Sequence, residues 1–381
     1  MNQEIKIEKL AYGGEGIGYV DGKVCFVEGA LPGEKVLAEI VQNKKKFARA
    51  KTVQVLTASP HRENPPCPVV EQCGGCQYQH LSYEEELRWK EIQVREYLQR
   101  NLKTDPARVK SIVGSPSPYG YRSSVTLHRH KNKTGFVGRD NETVIDIPNC
   151  LLAHSALAPA FQNPALFEPH EKSKTFRLSE NGRVISSGED IFFEIAAGGG
   201  KIQTHSKSFF QNNLFITEAV GRKVESWVRD AKPEIFLDLF SGAGTFTLLA
   251  AGNAPRILCA EENPYGVAAL KKNVETKKLN AEILQGRVEE VFPAWVKAHP
   301  LPETFAFLDP PRMGMPSKLA EFLAAQEKIT SLVYLSCHLG TLTRDLGIIL
   351  QSGKFKIAEA IPFDMFPRTK HIEVLVLLQP A

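Results

Sequence analysis

The chain has 381 residues, of which 43% are hydrophobic and 24% are charged, and its formal net charge is +4. These values are typical of a globular chain with room for two or three domains. No segment approaches the ~18 apolar residues needed to cross a bilayer, and so small a net charge does not by itself indicate a nucleic-acid partner. The N-terminal segment MNQEIKIEKL lacks the apolar core of a signal peptide, so we expect a cytoplasmic protein without a membrane partner.

Short strands separated by glycine turns are predicted for residues 1–58, with turns at Asp21-Gly22 and Pro32-Gly33. About five such strands indicate a small barrel. The segment NKKKFARAK surrounds Phe47 with the basic side chains of Lys44, Lys45, Lys46, Arg49 and Lys51. It fits a phosphate-binding strip with one stacking aromatic ring, and from charge alone it fits a solvated hairpin equally well.

Residues 59–205 are predicted to form a β-rich domain that contains one long helix. The helix corresponds to residues 82–102, where Ser82 and Glu85 have the spacing of a capping box, and it is a candidate to pack on the C-terminal domain. A second basic cluster follows the helix, with Tyr119 and Tyr121 nearby: Arg122, Arg129, Lys131, Lys133 and Arg139.

The chain has seven cysteines, and a reducing cytosol argues against disulfide bonds. Cys25 and Cys259 lie within apolar, strand-like runs and are expected in the core, because free cysteine behaves as a small hydrophobic residue. Three other cysteines lie within the segment CPVVEQCGGC, namely Cys67, Cys73 and Cys76. Cys150 lies further along the chain.

From about residue 206, apolar strands alternate with helical segments, which predicts a doubly wound α/β domain with a largely parallel sheet. The expected strands lie in EIFLDLF, RILCAEE, AEILQG, TFAFLD, SLVYLSC, FKIAEAIPF and HIEVLVLL. No helix is predicted between the last two strands, so this pair is expected to be antiparallel.

The segment FLDLFSGAGTFTLLAA predicts a strand, a glycine turn and a helix, and ligands of such sheets bind beyond the carboxyl ends of the strands. Gly242 and Gly244 allow the backbone to approach a ligand closely. The third glycine of the dinucleotide fingerprint is replaced by Thr247, and Glu261 ends the next strand, where its carboxylate can accept hydrogen bonds from ribose hydroxyls. This combination favours S-adenosylmethionine over a nicotinamide cofactor.

Three further strands carry candidate functional residues. One ends in Asp309-Pro310-Pro311-Arg312, a stiff loop expected to hold Asp309 at the ligand crevice. The next ends at Cys337, whose thiol is predicted to be half exposed and to act as a nucleophile beside a methyl donor, the alternative being an incidental surface cysteine. The last strand carries Glu373, predicted to share a face with His371, and this glutamate either faces solvent or acts as a general base.

With these motifs the chain resembles the RNA uracil-5-methyltransferase family, in particular its members with an N-terminal TRAM barrel and an iron–sulfur cluster. The segment LAYGGEGIGYVDGKVCFVEGALPGEKV is similar to TRAM, and CPVVEQCGGCQYQHL resembles the cysteine segment of the family. The remaining motifs occur along the chain in the same order as in the family: SFFQNN, DLFSGAGTFTL, DPPR, SC and HIEVLVLL. The resemblance implies a TRAM barrel in residues 1–58, an iron–sulfur domain in 59–205 and a class I methyltransferase domain with a Rossmann-like, seven-stranded sheet in 206–381.

The resemblance also implies a role for individual residues of this sequence. Cys337 is the expected nucleophile and Glu373 the expected base. The residues expected to hold S-adenosylmethionine are Gln211, Phe240, Gly242, Thr245, Glu261 and Asp309. The residues expected to contact the substrate are Phe209, which stacks on the target base, Arg312 and Arg122. The expected ligands of a [4Fe–4S] cluster, for which a zinc ion is the physical alternative, are Cys67, Cys73, Cys76 and Cys150.

The chain departs from the family where SCHLGT replaces the usual S-C-N-P-A-T, so that His338 and Leu339 stand in place of asparagine and proline. The implied activity is formation of 5-methyluridine by a monomeric enzyme. Its favoured substrate is 23S ribosomal RNA, because the bacterial transfer-RNA-type relatives lack both barrel and cluster. The alternatives are a transfer-RNA 5-methyluridine enzyme, an RNA cytosine-5 methyltransferase with the same covalent chemistry, and a non-catalytic RNA-binding assembly factor.

Overall fold

The N-terminal strands form a small barrel in this computed structural model, which describes residues 2–131, 133–168, 170–252 and 254–381. These strands are β1 (Asn2–Lys6), β2 (Lys9–Leu10), β3 (Gly16–Val20), β4 (Lys23–Glu28), β5 (Lys35–Asn43) and β6 (Phe47–Thr57). They pair in the order β1-β5-β6-β4-β3-β2, antiparallel except for β4 beside β6. Gly18 is required where β3 approaches β1, because a Cβ there would lie 2.5 Å from the carbonyl oxygen of Lys6.

The middle of the chain combines one long helix with a small antiparallel sheet. Its elements are α1 (Tyr83–Leu102), β7 (Ser124–His130), β8 (Lys133–Val137), β9 (Val144–Asp146), α2 (Ala158–Gln162), β10 (Ser173–Leu178) and β11 (Val184–Ser186), with short 3-10 turns at Pro106–Arg108, Ser155–Leu157 and Pro164–Leu166. The sheet order is β11-β10-β7-β8-β9. The hairpin of β12 (Phe192–Ala197) and β13 (Gly200–His205) follows. Leu127, Phe161 and Phe176 are buried in a core of their own.

The C-terminal part is the α/β domain that the sequence predicts. Its elements are α3 (Leu214–Ala231), β14 (Ile235–Leu239), α4 (Thr245–Ala250), β15 (Ile257–Glu261), α5 (Pro264–Thr276), β16 (Ala281–Gln285), α6 (Val288–Ala298), β17 (Thr304–Leu308), α7 (Ser317–Ala325), β18 (Ile329–Ser336), α8 (Leu339–Gln351), β19 (Phe355–Phe363) and β20 (Glu373–Pro380). The sheet order is β16-β15-β14-β17-β18-β20-β19, and β20 is antiparallel to both of its neighbours. The predicted antiparallel final pair is thus confirmed.

Helices cover both faces of this sheet, which explains why its strands are continuous apolar runs. Successive residues of β14 alternate between two cores: Leu237 packs with α6, α7 and α8, whereas Phe236 packs with α3, α4 and α5. The carboxyl ends of the parallel strands therefore meet at one open edge, between the two helical layers. In the described part of the chain, no helix combines the length and the apolar composition that a membrane crossing requires.

Helix α1 joins the two halves of the molecule, because it packs against α8 and β19. Its Lys90 is fully buried, and the Nζ atom lies 2.7 Å from carboxylate oxygens of both Glu86 and Asp364. The predicted capping box at the start of the helix is wrong. Ser82 occupies the N-cap position without a side-chain capping bond, and Glu85 pairs with Arg88 instead.

The loop between β19 and β20 is built against the cysteine segment of the middle region. The backbone N–H groups of Gln77 and Tyr78 donate to the carbonyl oxygen of Arg368, at 2.9 and 3.1 Å. The Arg368 N–H in turn donates to Glu86 Oε1 at 2.8 Å. Lys90 Nζ also lies 3.3 Å from the carbonyl oxygen of Phe366. The position of the chain entering β20 therefore depends on residues from the N-terminal half.

Candidate active site

A cavity of about 730 Å³ opens at the carboxyl edge of the C-terminal sheet. It lies where the crevice rule for open α/β sheets predicts a ligand site. Its lining includes most of the residues expected from the sequence: Phe209, Gln211, Phe240, Gly242, Thr245, Glu261, Asp309, Arg312, Cys337 and Glu373. The fold thus brings four parts of the chain to one cavity: the glycine turn, the DPPR loop, the edge cysteine and the last strand.

The glycine turn forms one wall of the cavity. Phe240, Gly242 and Gly244 all have positive φ, at 68°, 55° and 83°, so the backbone reverses sharply after β14. The positive φ of Gly244 and the 2.4 Å distance that its Cβ would have from the Leu270 side chain both favour glycine where α4 begins. Gly242 has no atom within 4 Å of an ideal Cβ, and any side chain there would enter open volume at the cavity wall.

Glu261 is held rigidly at the end of β15. Its Oε2 accepts the Gly242 N–H at 2.8 Å and its Oε1 accepts the Asn263 N–H at 2.7 Å. Asn263 also caps α5, because its side chain accepts from the N–H groups of Tyr265 and Gly266. Each carboxylate oxygen has a second lone pair. These lone pairs can accept hydrogen bonds from two adjacent hydroxyl groups of a sugar.

Asp309 follows β17 and is partly buried in the cavity wall. Gln211 Nε2 donates to its Oδ2 at 2.9 Å. Burial and the nearby charge of Asp238 raise the pKa of Asp309 to about 8, although the Gln211 hydrogen bond opposes the shift. Asp309 and Glu373 both line the cavity and their charges interact, an arrangement that favours a ligand with positive charge or hydrogen-bond donors.

Asp309→Asn is expected to stabilise the ligand-free protein more at pH 8 than at pH 5. The folded-state pKa of about 8 lies above the unfolded value of ~3.9. Stability associated with this group is therefore fully present below the unfolded pKa and is lost as pH rises through the folded pKa. The variant should gain roughly 2–4 °C in Tm at pH 8, the shift that about 1 kcal/mol produces. Thermal unfolding at both pH values measures this, with Asp230→Asn, at an exposed position of α3, as the control. An equal gain at both pH values would contradict the assignment.

Cys337 follows directly after β18 and is half buried. Burial raises the pKa of its thiol to about 11, with a further contribution from the Glu373 charge. The positive charge of the Arg312 guanidinium opposes this shift in the pKa of Cys337. The thiol therefore lies at the strand end as the sequence predicts, with one cation able to favour its ionised form.

His338, which stands in place of the asparagine usual in the resembled family, still caps a helix. His338 is the N-cap residue of α8, and its Nδ1 accepts the Thr341 N–H at 3.2 Å. Asparagine caps a helix through a side-chain acceptor in the same way. The substitution after the edge cysteine therefore maintains the start of α8.

Glu373 faces the cavity rather than solvent. It is 6% exposed, and burial together with the charge of Asp309 raises its pKa well above the usual range. The strand β20 begins at Glu373, so His371 lies in the preceding loop and not on a shared strand face, which corrects the prediction. His371 instead contacts Arg312, whose Nη2 lies 2.9 Å from Nδ1 of the ring. Burial and the Arg312 charge lower the pKa of His371 to about 3, so the imidazole is neutral.

A second pocket, of about 260 Å³, is lined by Cys67, Cys73, Cys76 and Cys150. Gln79 braces it, since Nε2 lies 3.1 Å from Cys76 Sγ and Oε1 accepts the Cys67 N–H at 3.2 Å. Arg122, expected from the sequence to contact substrate, lines this pocket and not the active-site cavity. Over the ranges the structure describes, no three His, Cys, Asp or Glu side chains are arranged to hold a single metal ion.

The two basic clusters differ in their surroundings. Lys44, Lys45 and Lys46 form the exposed turn between β5 and β6, whereas Arg49 pairs with Glu15 and lies 5.5 Å from the centre of the Phe26 ring. In the second cluster, Arg139 pairs with Glu28 of the barrel and donates to the carbonyl oxygens of Val70 and Cys76. Arg139 therefore ties the barrel to the cysteine segment.

Several residues at or beside the cavity were not expected from the sequence. Phe366 lines it from the loop before β20, and Asn263 holds Glu261. Tyr12 packs from the barrel onto the core of the C-terminal sheet, with its ring centroid 6.1 Å from that of Tyr97. Only Asn263 carries a local signal, since Asn followed by Pro is a common helix start. The other two depend on contacts between distant parts of the chain.

Comparisons with known proteins identify relatives of this chain. A TRAM-domain model matches residues 2–53, and a tRNA (uracil-5-)-methyltransferase model matches residues 193–381. An uncharacterized RNA methyltransferase of Bdellovibrio bacteriovorus is 31% identical over 383 residues, covering 99% of this chain and 94% of that protein. An uncharacterized RNA methyltransferase of Clostridium acetobutylicum is 29% identical, covering 99% of this chain and 96% of that protein.

Among solved structures, the tRNA (uracil-54, C5)-methyltransferase of Pyrococcus abyssi is similar over nearly its full length. That structure, a complex with S-adenosyl-L-homocysteine, gives a TM-score of 0.76 at 24% identity, covering 98% of this chain and 99% of the other. At this level of identity the likeness concerns the fold.

Proposed function

This chain belongs to the RNA (uracil-5-)-methyltransferase family, and we propose that it transfers the methyl group of S-adenosylmethionine to carbon 5 of a uridine in RNA. The observation that carries the proposal is the single cavity of about 730 Å³ lined by Glu261, Asp309, Cys337 and Glu373 together. A ribose-binding carboxylate, a thiol and a buried base are the groups that this reaction needs in one place.

The residues of the cavity fit S-adenosylmethionine. The carboxylate of Glu261 suits the two ribose hydroxyls, and Gly242 leaves the wall open for the amino-acid part of the ligand. Asp309, fixed by Gln211, adds a hydrogen-bond acceptor and negative charge. When bound, S-adenosylmethionine supplies an electrophilic methyl group on a sulfonium.

Cys337 and Glu373 perform the proposed chemistry on the uracil ring. The Cys337 thiolate adds to carbon 6, which forms a C–S bond and moves an electron pair towards carbon 5. Carbon 5 then bonds to the methyl carbon, whose bond to sulfur breaks with its electron pair remaining on that sulfur. Glu373 takes the proton from carbon 5, the ring double bond returns, and Cys337 leaves as thiolate. The raised pKa of Glu373 makes its carboxylate a stronger base than an exposed glutamate.

The target base must leave its stack to enter the cavity. Phe209 lines the cavity with a side chain that is 70% exposed. An exposed ring at this rim is suited to stacking on a flipped base, because base–aromatic stacking contributes about 1–3 kcal/mol.

Arg312→Gln is expected to lower methyl transfer about tenfold or more at neutral pH and to move the rising limb of the pH–rate profile upward. Arg312 lowers the pKa of the Cys337 thiol, which burial raises to about 11. Below the pKa, each unit of further increase removes about nine-tenths of the reactive thiolate. Single-turnover rates between about pH 6 and pH 10 measure the shift. Arg312→Lys, which keeps the charge, is the matched control. An unmoved profile in the glutamine variant would exclude this role.

We also propose that the cysteine pocket holds a [4Fe–4S] cluster, because four thiolates satisfy its ligand requirement. Its support is the convergence of four thiols on one pocket of about 260 Å³, in which Gly75 and Gln79 direct N–H groups at cysteine sulfurs. Anaerobically purified protein should absorb broadly near ~400 nm and contain iron. Cys76→Ser should lose both signals, and Cys25→Ser should retain them. Stoichiometric zinc with no iron would favour the alternative metal.

The favoured substrate is ribosomal RNA, and transfer RNA is the second candidate. Ribosomal RNA is supported by the TRAM barrel and the cysteine pocket, which the bacterial transfer-RNA-type members lack. Transfer RNA is supported by the likeness to the Pyrococcus abyssi enzyme. Incubation of the protein with unmodified ribosomal and transfer RNA, followed by nucleoside mass spectrometry, separates them. The same analysis distinguishes 5-methyluridine from 5-methylcytidine, and the absence of any methylated product would support a non-catalytic RNA-binding role.

A further inference from the structure

The loop after β17 lies against the first turns of α8. The Thr341 hydroxyl donates to the Arg312 carbonyl oxygen at 3.1 Å and lies 3.2 Å from the carbonyl oxygen of His338. The Thr341 N–H donates to His338 Nδ1, also at 3.2 Å. Since His338 directly follows Cys337, one side chain connects the segment that carries Arg312 with the turn that carries the thiol.

Two further residues of α8 hold the next part of this loop. Asp345 is fully buried, and its Oδ2 accepts the Met315 N–H at 2.9 Å. Arg344 Nη2 donates to the carbonyl oxygens of Met313 and Met315, at 2.8 and 3.1 Å. The loop is therefore hydrogen-bonded to α8 from Arg312 onward.

Gly314 makes this close approach possible. Its φ is 73°, and an added Cβ would lie 3.1 Å from the Cβ of Thr341 and nearer still to the Asp345 carboxylate. A side chain at this position would therefore push the loop away from α8. Because Arg312 and Gly314 both line the cavity, the contact with α8 also sets the position of the cavity wall.

We propose that Thr341 is a positioning residue, whose hydroxyl holds the Arg312 segment on α8 and thereby keeps the guanidinium at the cavity that Cys337 also lines. The inference rests on the proposed function in assigning the attack of this thiol to uracil. The guanidinium has a partner of its own, because Arg312 Nη2 lies 2.9 Å from His371 Nδ1. The backbone and the side chain of Arg312 are thus held by two different elements.

Several elements bring charged or titratable groups to the surroundings of Cys337: Glu373 on β20, Asp309 and Arg312 after β17, His371 before β20, and Tyr12 and Tyr97, which pack on the core that includes Leu339 of α8. Burial and the charge of Glu373 raise the pKa of the thiol, and the positive charge of Arg312 opposes that shift. If the loop moves away from α8, this charge moves with it. The thiolate then becomes less stable and less abundant at neutral pH.

The test compares Thr341→Val, which keeps the branched shape and loses the hydroxyl, with wild type. Alkylation of Cys337 by iodoacetamide, followed by mass spectrometry of its peptide, should shift to higher pH. The single-turnover rate of methyl transfer at neutral pH should fall about three- to tenfold. The Kd for S-adenosylmethionine, measured by calorimetry, should change by less than about twofold.

Two variants serve as controls. Thr341→Ser keeps the hydroxyl and should behave as wild type. Thr343→Val is the matched control on the same helix, because the Thr343 hydroxyl donates within α8, to the Leu339 carbonyl oxygen at 3.0 Å. It should leave both the alkylation profile and the rate unchanged.

A double-mutant cycle tests whether Thr341 acts through Arg312. In the Arg312→Gln background the guanidinium is already absent, so adding Thr341→Val should not move the alkylation profile further. An additive second shift, an unmoved profile in Thr341→Val, or a shift in either control variant would each overturn the proposal. Should wild type methylate no RNA at all, the proposed function fails, yet the alkylation profiles still decide the role of Thr341.

Discussion

Replacing Cys337 with alanine is expected to abolish methyl transfer and the covalent RNA adduct. The thiol is the only group proposed to attack carbon 6, so its loss should lower the rate by a factor on the order of 10⁴ or more. Binding of S-adenosylmethionine should persist, because Gln211, Glu261 and Asp309 remain in place. Transfer of labelled methyl to RNA, denaturing gels of the protein–RNA mixture and calorimetric titration of the ligand measure the three outcomes.

Cys25→Ala is the matched control for this variant. Cys25 is fully buried in the barrel core, away from the residues that line the cavity. This substitution removes one sulfur without touching the proposed chemistry, so activity should persist in whatever fraction of the protein folds. A Cys337→Ala enzyme that still methylates RNA would refute the nucleophile assignment.

Glu373→Gln is expected to trap the reaction after methyl transfer. Glutamine has nearly the same shape as glutamate but cannot take the proton from carbon 5, so the C–S bond to Cys337 persists. Turnover should fall about 10²–10⁴-fold, the usual contribution of a general base, while one labelled methyl group accumulates in a covalent protein–RNA complex. A denaturing gel with labelled S-adenosylmethionine separates this complex from free RNA.

The neighbouring strand offers a control for the trapping experiment. Glu359 on β19 is partly exposed and pairs with Lys223 at 3.2 Å, outside the cavity lining. Glu359→Gln should turn over normally and leave no trapped complex. If Glu373→Gln releases methylated RNA at the wild-type rate, the base must be sought elsewhere in the cavity.

The α/β domain and most of its cavity were predictable because the signals are local. Continuous apolar runs mark strands buried on both faces, and the glycine turn marks the start of α4. Parallel strands then bring their carboxyl ends to one edge whatever the rest of the chain does. That rule alone placed Asp309 and Cys337 near Glu261, and the antiparallel return of β20 brought Glu373 to the same edge.

The remaining features depend on contacts between distant segments. Ser82 and Glu85 have the spacing of a capping box, yet Glu85 pairs with Arg88. No local pattern distinguishes a capping box from this ion pair. In the sequence, Arg122 is one basic residue of a cluster. Only the fold shows that it lines the pocket of the four cysteines. Tyr12 of the barrel packs against Tyr97 of α1, and only the assembled structure shows this contact.

The backbone tie between the cysteine segment and Arg368 has a consequence for biogenesis. The nascent chain presents Cys67, Cys73 and Cys76 to the cell long before Arg368 is synthesised, and N-terminal parts generally fold first. The folded cysteine segment can then act as a template for the closing of the hairpin β19–β20, which places Glu373 in the cavity wall. A shortened protein that starts at the α/β domain lacks this template.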